Sequence, residues 1–290
     1  MNYRTTLLHL QHCKSINYKD IKNLTVTLPN LSSIYSLSFS TLQSILKSSH
    51  NKTKSLIDEL QSIDINRLMK QYDKNNIQWM TIIDESYPKL LKTVYDPPFV
   101  LFLKGKSEIL ENGQNLAIVG SRKSNIYTEK VLENFIPMFV KNKLNIVSGL
   151  ALGADSLAHR MAIEYKGNTI GVLGGGFEHF YPKENTYLIE RMMAEQLVIS
   201  EYPPSTRPEK WHFPMRNRII SGLSIGVFIT QAKKKSGTLI TADYALNEGR
   251  DVFAVPGSIL DPLSSGTNEL IQQGAKLILT PEDIFSELYV

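Results

Sequence analysis

The sequence predicts an α/β fold: a doubly wound, mostly parallel, Rossmann-like sheet preceded by a small all-helical segment. Two observations predict it. From Asn115 onward, short apolar runs end in glycine turns and lead into stretches with apolar residues at helical spacing, several times over. Residues 1–75, by contrast, hold no glycine, and their apolar residues recur at three- and four-residue intervals. A chain of 290 residues has room for one large domain and a smaller one. The expected division is a helical region over 1–75, a linker with edge elements over 76–114, and a sheet core over 115–290.

In chain order, Leu42–Leu46, Ser55–Ile63 and Ile65–Tyr72 predict helices, with Pro29 and the Ser/Thr-rich stretch 32–41 as punctuation. This region reads either as a docking or DNA-contact module or as a stabilising cap. Q-W-M-T-I at 78–82 and F-V-L-F-L at 99–103 predict strands, separated by a short helix in Y-P-K-L-L and a D-P-P turn. Further strands are expected at 116–119, 144–147, 169–173, 196–200, 225–230, 251–255 and 276–279. Crossover helices are expected at 126–141, 155–165 and 238–248, because parallel strands need such connections.

Composition narrows the function classes. A 42% hydrophobic and 21% charged chain is that of a folded globular protein. No apolar run reaches the roughly 18 residues of a transmembrane helix, and the first residues are too polar for a secretory signal. No membrane association is expected, and the expected location is cytoplasmic. The single cysteine, Cys13, excludes an internal disulfide and a Cys-based metal cluster. The net charge of +4 is an N-terminal property: residues 1–95 hold 12 Lys and Arg against 7 Asp and Glu, residues 96–290 hold 20 against 21. Placement, not total charge, carries the argument for the sheet, and many of its basic residues fall in loops after strands.

Those loops carry the candidate chemistry. L-A-I-V-G-S-R at 116–122 runs a buried strand into Gly120, Ser121 and Arg122. The glycine admits a phosphate to the backbone, the following helix offers free N–H groups, and the arginine is a planar cationic fork. S-G-L-A-L-G-A-D at 148–155 is a second such turn. Asp155 reads first as a helix cap, and His159, one turn on and within reach of it, as a structural pair rather than a catalytic dyad. In G-G-G-F-E-H-F-Y-P-K, Gly175 and Gly176 allow close approach of a ligand, and Tyr181-Pro182 aims Lys183 over the same crevice.

F-P-M-R-N-R groups Arg216, Asn217 and Arg218. Because adjacent positions alternate faces, one arginine is expected to reach phosphate while the other is pinned to a carboxylate or backbone. K-K-K-S-G-T joins a basic loop to Ser236, Gly237 and Thr238 at a helix start, again suited to an anion. No metal-ligand spacing, nucleophile elbow or Walker A sequence is present, and the glycine pattern is not that of a dinucleotide fold. Binding rather than turnover is expected, with no cofactor and no metal.

These motifs, together with S-E-Y-P-P, S-G-T-L-I-T-A, G-R-D-V-F-A-V-P-G and G-T-N-E-L-I-Q-Q-G-A, occur in the order seen in the DprA/Smf (DNA processing protein A) family, which the chain resembles over about residues 80–280. The resemblance implies an extended Rossmann domain that binds single-stranded DNA without sequence preference. It implies protection of incoming strands in natural transformation, loading of the RecA recombinase, and a homodimer formed through the Rossmann domain. The family's DNA-binding arginine falls on Arg122, its lysine on Lys183, and its R-N-R segment on Arg216 to Arg218. The helical region resembles the SAM-like domain of some members, and the winged helix that many members carry at the C-terminus is not expected here. Phe180, Tyr181 and Tyr187 are candidate base-stacking residues, read first as core.

The competing expectation is an enzyme resembling the nucleotide phosphoribohydrolases, whose catalytic glutamate would stand where this chain has Thr241. A third is a scaffold that binds only proteins, which would have no use for Arg122 and Lys183 in one crevice.

Overall fold

The computed structural model describes residues 1–288 and resolves into two compact units. The smaller comprises Met1–Glu85 with Phe99–Leu101; the larger comprises Ser86–Pro98 and the chain from Phe102 onward.

The smaller unit holds α1 (Tyr3–His12), α2 (Tyr18–Thr27), α3 (Phe39–Leu46), α4 (His50–Ser62), α5 (Ile65–Lys74) and strand β1 (Ile77–Thr81). Its helices begin on side-chain caps: Asn2, Asn17, Ser38, Ser49 and Asp64 each accept a backbone N–H two or three residues into the helix. Asn17 and Asp20 form a reciprocal capping box. The stretch expected only to punctuate the region instead contains a 3₁₀ turn, Leu31–Ser36, started by Asn30 and anchored by buried Leu31 and Ile34. Helices α1 and α2 fall within the helical region expected over 1–75, without separately expected bounds; Leu7, Leu8, Leu10, Ile21 and Leu24 bury their inner faces.

The larger unit runs α6 (Lys89–Lys92), β2 (Val100–Gly105), β3 (Gln114–Val119), α7 (Ile126–Lys141), β4 (Leu144–Gly149), α8 (Ala154–Glu164), β5 (Thr169–Val172), α9 (Thr186–Glu195), β6 (Leu197–Ser200), α10 (His212–Gly222), β7 (Gly226–Ile229), α11 (Gly237–Asn247), β8 (Asp251–Ala254), α12 (Ser265–Gln272), β9 (Lys276–Leu277) and α13 (Pro281–Leu288). Its strands lie in the order β2-β6-β5-β4-β3-β7-β8-β9. All neighbours are parallel except β2 and β6, which pair antiparallel from Phe102 opposite Ser200.

Chain order runs outward from β3 through β4, β5 and β6, then returns to the other side of β3 with β7. The switch point of the sheet is therefore between β3 and β7, where open α/β sheets leave a crevice at the strands' carboxyl ends. Helix α7 shows why the crossovers hold. Asn125 caps it, and Leu132, Phe135, Ile136 and Phe139 recur at helical spacing on its buried face. That face packs on the sheet through Phe228, whose ring is 4.9 Å from Phe135 and 5.8 Å from Phe139.

Candidate functional site

At the switch point β3 ends and the chain turns through Gly120, Ser121 and Arg122. Gly120 has no room for a side chain: a Cβ would lie 2.5 Å from Thr230 Oγ1 and 2.7 Å from Ala154 Cβ. Its carbonyl accepts a hydrogen bond from Thr238 Oγ1 at 3.0 Å, which ties this loop to the start of α11. The Ser121 carbonyl accepts from the Ala154 N–H at 3.2 Å, which ties it to α8. Gly153, at φ +79°, makes that approach possible, since a Cβ there would sit 2.3 Å from the Ser121 carbonyl oxygen. Arg122 is left exposed.

Around this turn lies a cavity of about 430 Å³, walled by residues 119–123, Ala151 and Asp155, the first turns of α10, Lys233 and the N-terminal turns of α11. Gly120, Ser121, Arg122, Arg216, Asn217, Ser236, Gly237 and Thr238 all line it, so three stretches that the sequence singled out separately meet in one place, with Ala151 and Asp155 from a fourth. Ser236 occupies the N-cap position of α11 but makes no capping bond, and its buried Oγ has no protein partner. A second cavity of about 60 Å³ shares Arg122, Ala151, Phe213 and Arg216 with the first and adds Gly174, Tyr181 and Pro182.

Arg216 is 6% exposed, with Nη1 donating to the Val172 carbonyl at 2.6 Å and Nε to Asn217 Oδ1 at 3.2 Å. It shares its space with Asp155. A Cβ on Gly149 would lie 2.3 Å from Arg216 Nη1 and 2.5 Å from Asp155 Oδ2, so glycine at 149 leaves the room in which the two groups meet. Burial holds the Asp155 carboxyl above its ordinary range, and Arg216, the Ala151 N–H, Arg122 and Ser148 offset only part of that rise. Burial lowers the Arg216 guanidinium, and Asp155 opposes that.

Four expected site residues are placed elsewhere. Arg218 is 3% exposed and lines neither cavity; its Nη2 donates to both oxygens of Glu201 at 2.6 Å. It is the pinned member of the arginine pair, consumed by a buried carboxylate. Gly175 and Gly176 do give close backbone approach, but to the chain itself. A Cβ on Gly175 would meet Pro208 at 3.1 Å, and one on Gly176 the Pro203 and Pro204 carbonyls at 2.2 Å. The glycine that faces the smaller cavity is Gly174. Lys183 is exposed and opens the short 3₁₀ turn after Pro182, off the lining of both cavities.

Further expectations change. Asp155 does not cap α8, whose N-cap is Gly153; it stands on the cavity wall instead. His159 does not pair with Asp155. Its Nε2 lies 2.6 Å from the Gly149 carbonyl and its Nδ1 2.6 Å from Thr169 Oγ1, and burial drops it to about 4. A neutral ring beside a carbonyl must carry its proton on Nε2. Tyr181 and Tyr187 are not core but exposed, and the Tyr181 ring sits 5.4 Å from that of Phe213. Sequence reasoning missed Phe213 and Lys123 as wall residues, and it noted Lys233 only as part of a basic loop. Their signal was position alone, beside arginine, glycine or Ser-Gly-Thr motifs already noted.

A family model for DNA recombination-mediator protein A matches residues 78–289. The chain belongs to the DprA/Smf family. Among its relatives, DNA processing protein DprA of Bacillus subtilis is 50% identical over 222 residues, spanning 77% of this chain and 75% of that one. The Streptococcus pneumoniae DprA is 46% identical over 225 residues, 78% of each chain. The crystal structure of the pneumococcal protein superposes with a TM-score of 0.86 at 37% identity, covering 99% of both chains. A structure of DNA processing protein A from Helicobacter pylori, described for its single-stranded DNA binding mode, superposes with a TM-score of 0.66 at 32% identity, over 73% of this chain and 95% of that one. Family membership makes this a DNA-processing protein.

Proposed function

We propose that this chain binds single-stranded DNA, without sequence preference, in the cleft between β3 and β7. It does so in the cytoplasm to protect incoming strands during natural transformation and to load them onto the RecA recombinase, working as a homodimer joined through the sheet domain. The observation that carries the strand-binding reading is the convergence of Arg122, Lys123, Arg216 and Lys233 with the N-terminus of α11 around one 430 Å³ cavity. Cationic forks and free helix N–H groups bind phosphate oxygens. Such contacts carry no base information, which gives sequence-independent binding. Lys183, beside Pro182 at the smaller cavity, extends the basic track. Exposed Tyr181 and the neighbouring Phe213 offer π-faces for unpaired bases. The described single-strand binding of the Helicobacter pylori relative supports the same reading.

Where a phosphoribohydrolase-like enzyme would need glutamate, the cavity wall carries Thr241, which has no acid–base chemistry to offer. Fluorescence anisotropy with a labelled oligo(dT) strand and an equal-length duplex tests the proposal. Strong preference for the single strand is expected; equal or greater affinity for duplex would overturn it. Release of free base from nucleoside monophosphates would favour the enzyme instead.

A further inference from the structure

An anion cleft has little use for a buried carboxylate, yet Asp155 is one. It is 7% exposed and stands on the wall of the same cavity as Arg122, Lys123, Arg216 and Lys233. It makes no capping bond to α8, whose N-cap is Gly153, and it does not orient His159, which is held by Gly149 and Thr169. The fold makes room for it, since glycine at 149 is what admits the carboxylate and the Arg216 guanidinium side by side.

We propose that Asp155 is the specificity-determining charge of the cleft, disfavouring doubly charged phosphate monoesters relative to the singly charged diesters of a nucleic-acid strand. The inference rests on the strand-binding reading above. Every phosphate inside a strand carries one negative charge. A free nucleotide carries close to two at neutral pH, because the second pKa of a phosphate monoester is about 6. The cations of the wall attract the extra charge, and a carboxylate beside the bound phosphate repels it. The wall groups facing Asp155 set its state. Arg216 from α10 and Arg122 from the β3 loop are cations, the Ala151 N–H and Ser148 are neutral donors, and no imidazole is turned toward it. Burial raises this carboxyl, and the guanidiniums of Arg216 and Arg122 act against that rise, favouring the ionised form. The consequence is a cleft that strands can enter in the presence of abundant free nucleotide.

The test is competition against labelled oligo(dT) by thymidine 5′-monophosphate and thymidine 3′-monophosphate as monoesters, and by the dinucleoside TpT as the diester. At an effective dielectric of about 20 to 40, one unit charge removed a few ångströms from the second phosphate charge is worth roughly a tenfold change. Asp155→Asn should therefore strengthen inhibition by the monoesters roughly tenfold more than inhibition by TpT. A structural lesion would weaken all competitors together. Equal changes for monoesters and diester, or none, overturn the inference and leave strand binding intact.

The wild-type chain gives a second reading that does not depend on the variant folding. Thymidine 5′-monophosphate should compete better near pH 5, as the monoanion, than near pH 8, as the dianion, either side of its second pKa of about 6. Tighter binding of the dianion would overturn the inference. If wild type fails to bind oligo(dT) at all, the strand-binding reading falls and this inference falls with it.

Discussion

Replacing Arg218 by alanine separates the two arginines of the R-N-R segment. Arg218 and Glu201 are 3% and 8% exposed, and both carboxylate oxygens sit 2.6 Å from Nη2. The variant takes the guanidinium away from a buried carboxylate, which costs about 3–5 kcal/mol, a large share of the roughly 5–15 kcal/mol that holds a domain folded. For a unit of this size that corresponds to a fall in Tm of about 6–20 °C. Lysine would recover only part of it, because a single ammonium does not reproduce the fork. Thermal unfolding followed by circular dichroism measures the loss. Oligo(dT) affinity, measured well below the lowered Tm, should stay within about twofold of wild type, since Arg218 touches neither cavity. A variant that melts like wild type but binds the strand poorly would refute this assignment and return Arg218 to the phosphate track.

Arg122→Ala should weaken binding of dT, dC and dA strands by the same factor and flatten the log–log salt slope by about 0.7; adding Lys183→Ala should flatten it by about 0.7 more. Loss confined to one base composition would contradict a phosphate role. His159, held near 4 when folded against an ordinary value of 6.5, is protonated more readily in the unfolded chain. Its contribution to stability is full above about pH 6.5 and is lost as pH falls toward 4, a change of about 3 kcal/mol. His12 in the helical unit follows the same window. Urea midpoints measured between these pH values should fall steadily; a flat profile would contradict both assignments.

The sheet was legible because buried parallel strands are short apolar runs bounded by glycine. The expected strands at 144–147, 225–230 and 251–255 correspond to Leu144–Gly149, Gly226–Ile229 and Asp251–Ala254. The crossover expected at 126–141 is Ile126–Lys141 itself. Helix α10 was not legible. It buries two arginines and a histidine and begins around a proline, so its inner face reads as polar and broken. The same masking hid the division of labour between Arg216 and Arg218. Both are buried, and only their partners distinguish them: Val172 and Asp155 on the cavity wall for one, Glu201 away from it for the other. Gly175 and Gly176 misled for a related reason. A glycine run announces close approach but not what approaches, and here it is the chain's own 203–208 segment. Asp155 was visible, but one acid early in a helix looks like a cap until the cavity beside it is seen.

Hydrogen–deuterium exchange with and without oligo(dT) tests the central claim most directly, because it locates the strand on the chain. Protection is predicted over residues 120–124, at the 151–155 turn, over the first turns of α10, and across 233–240. Protection confined to residues 1–85, with the β3–β7 cleft unchanged, would contradict the account.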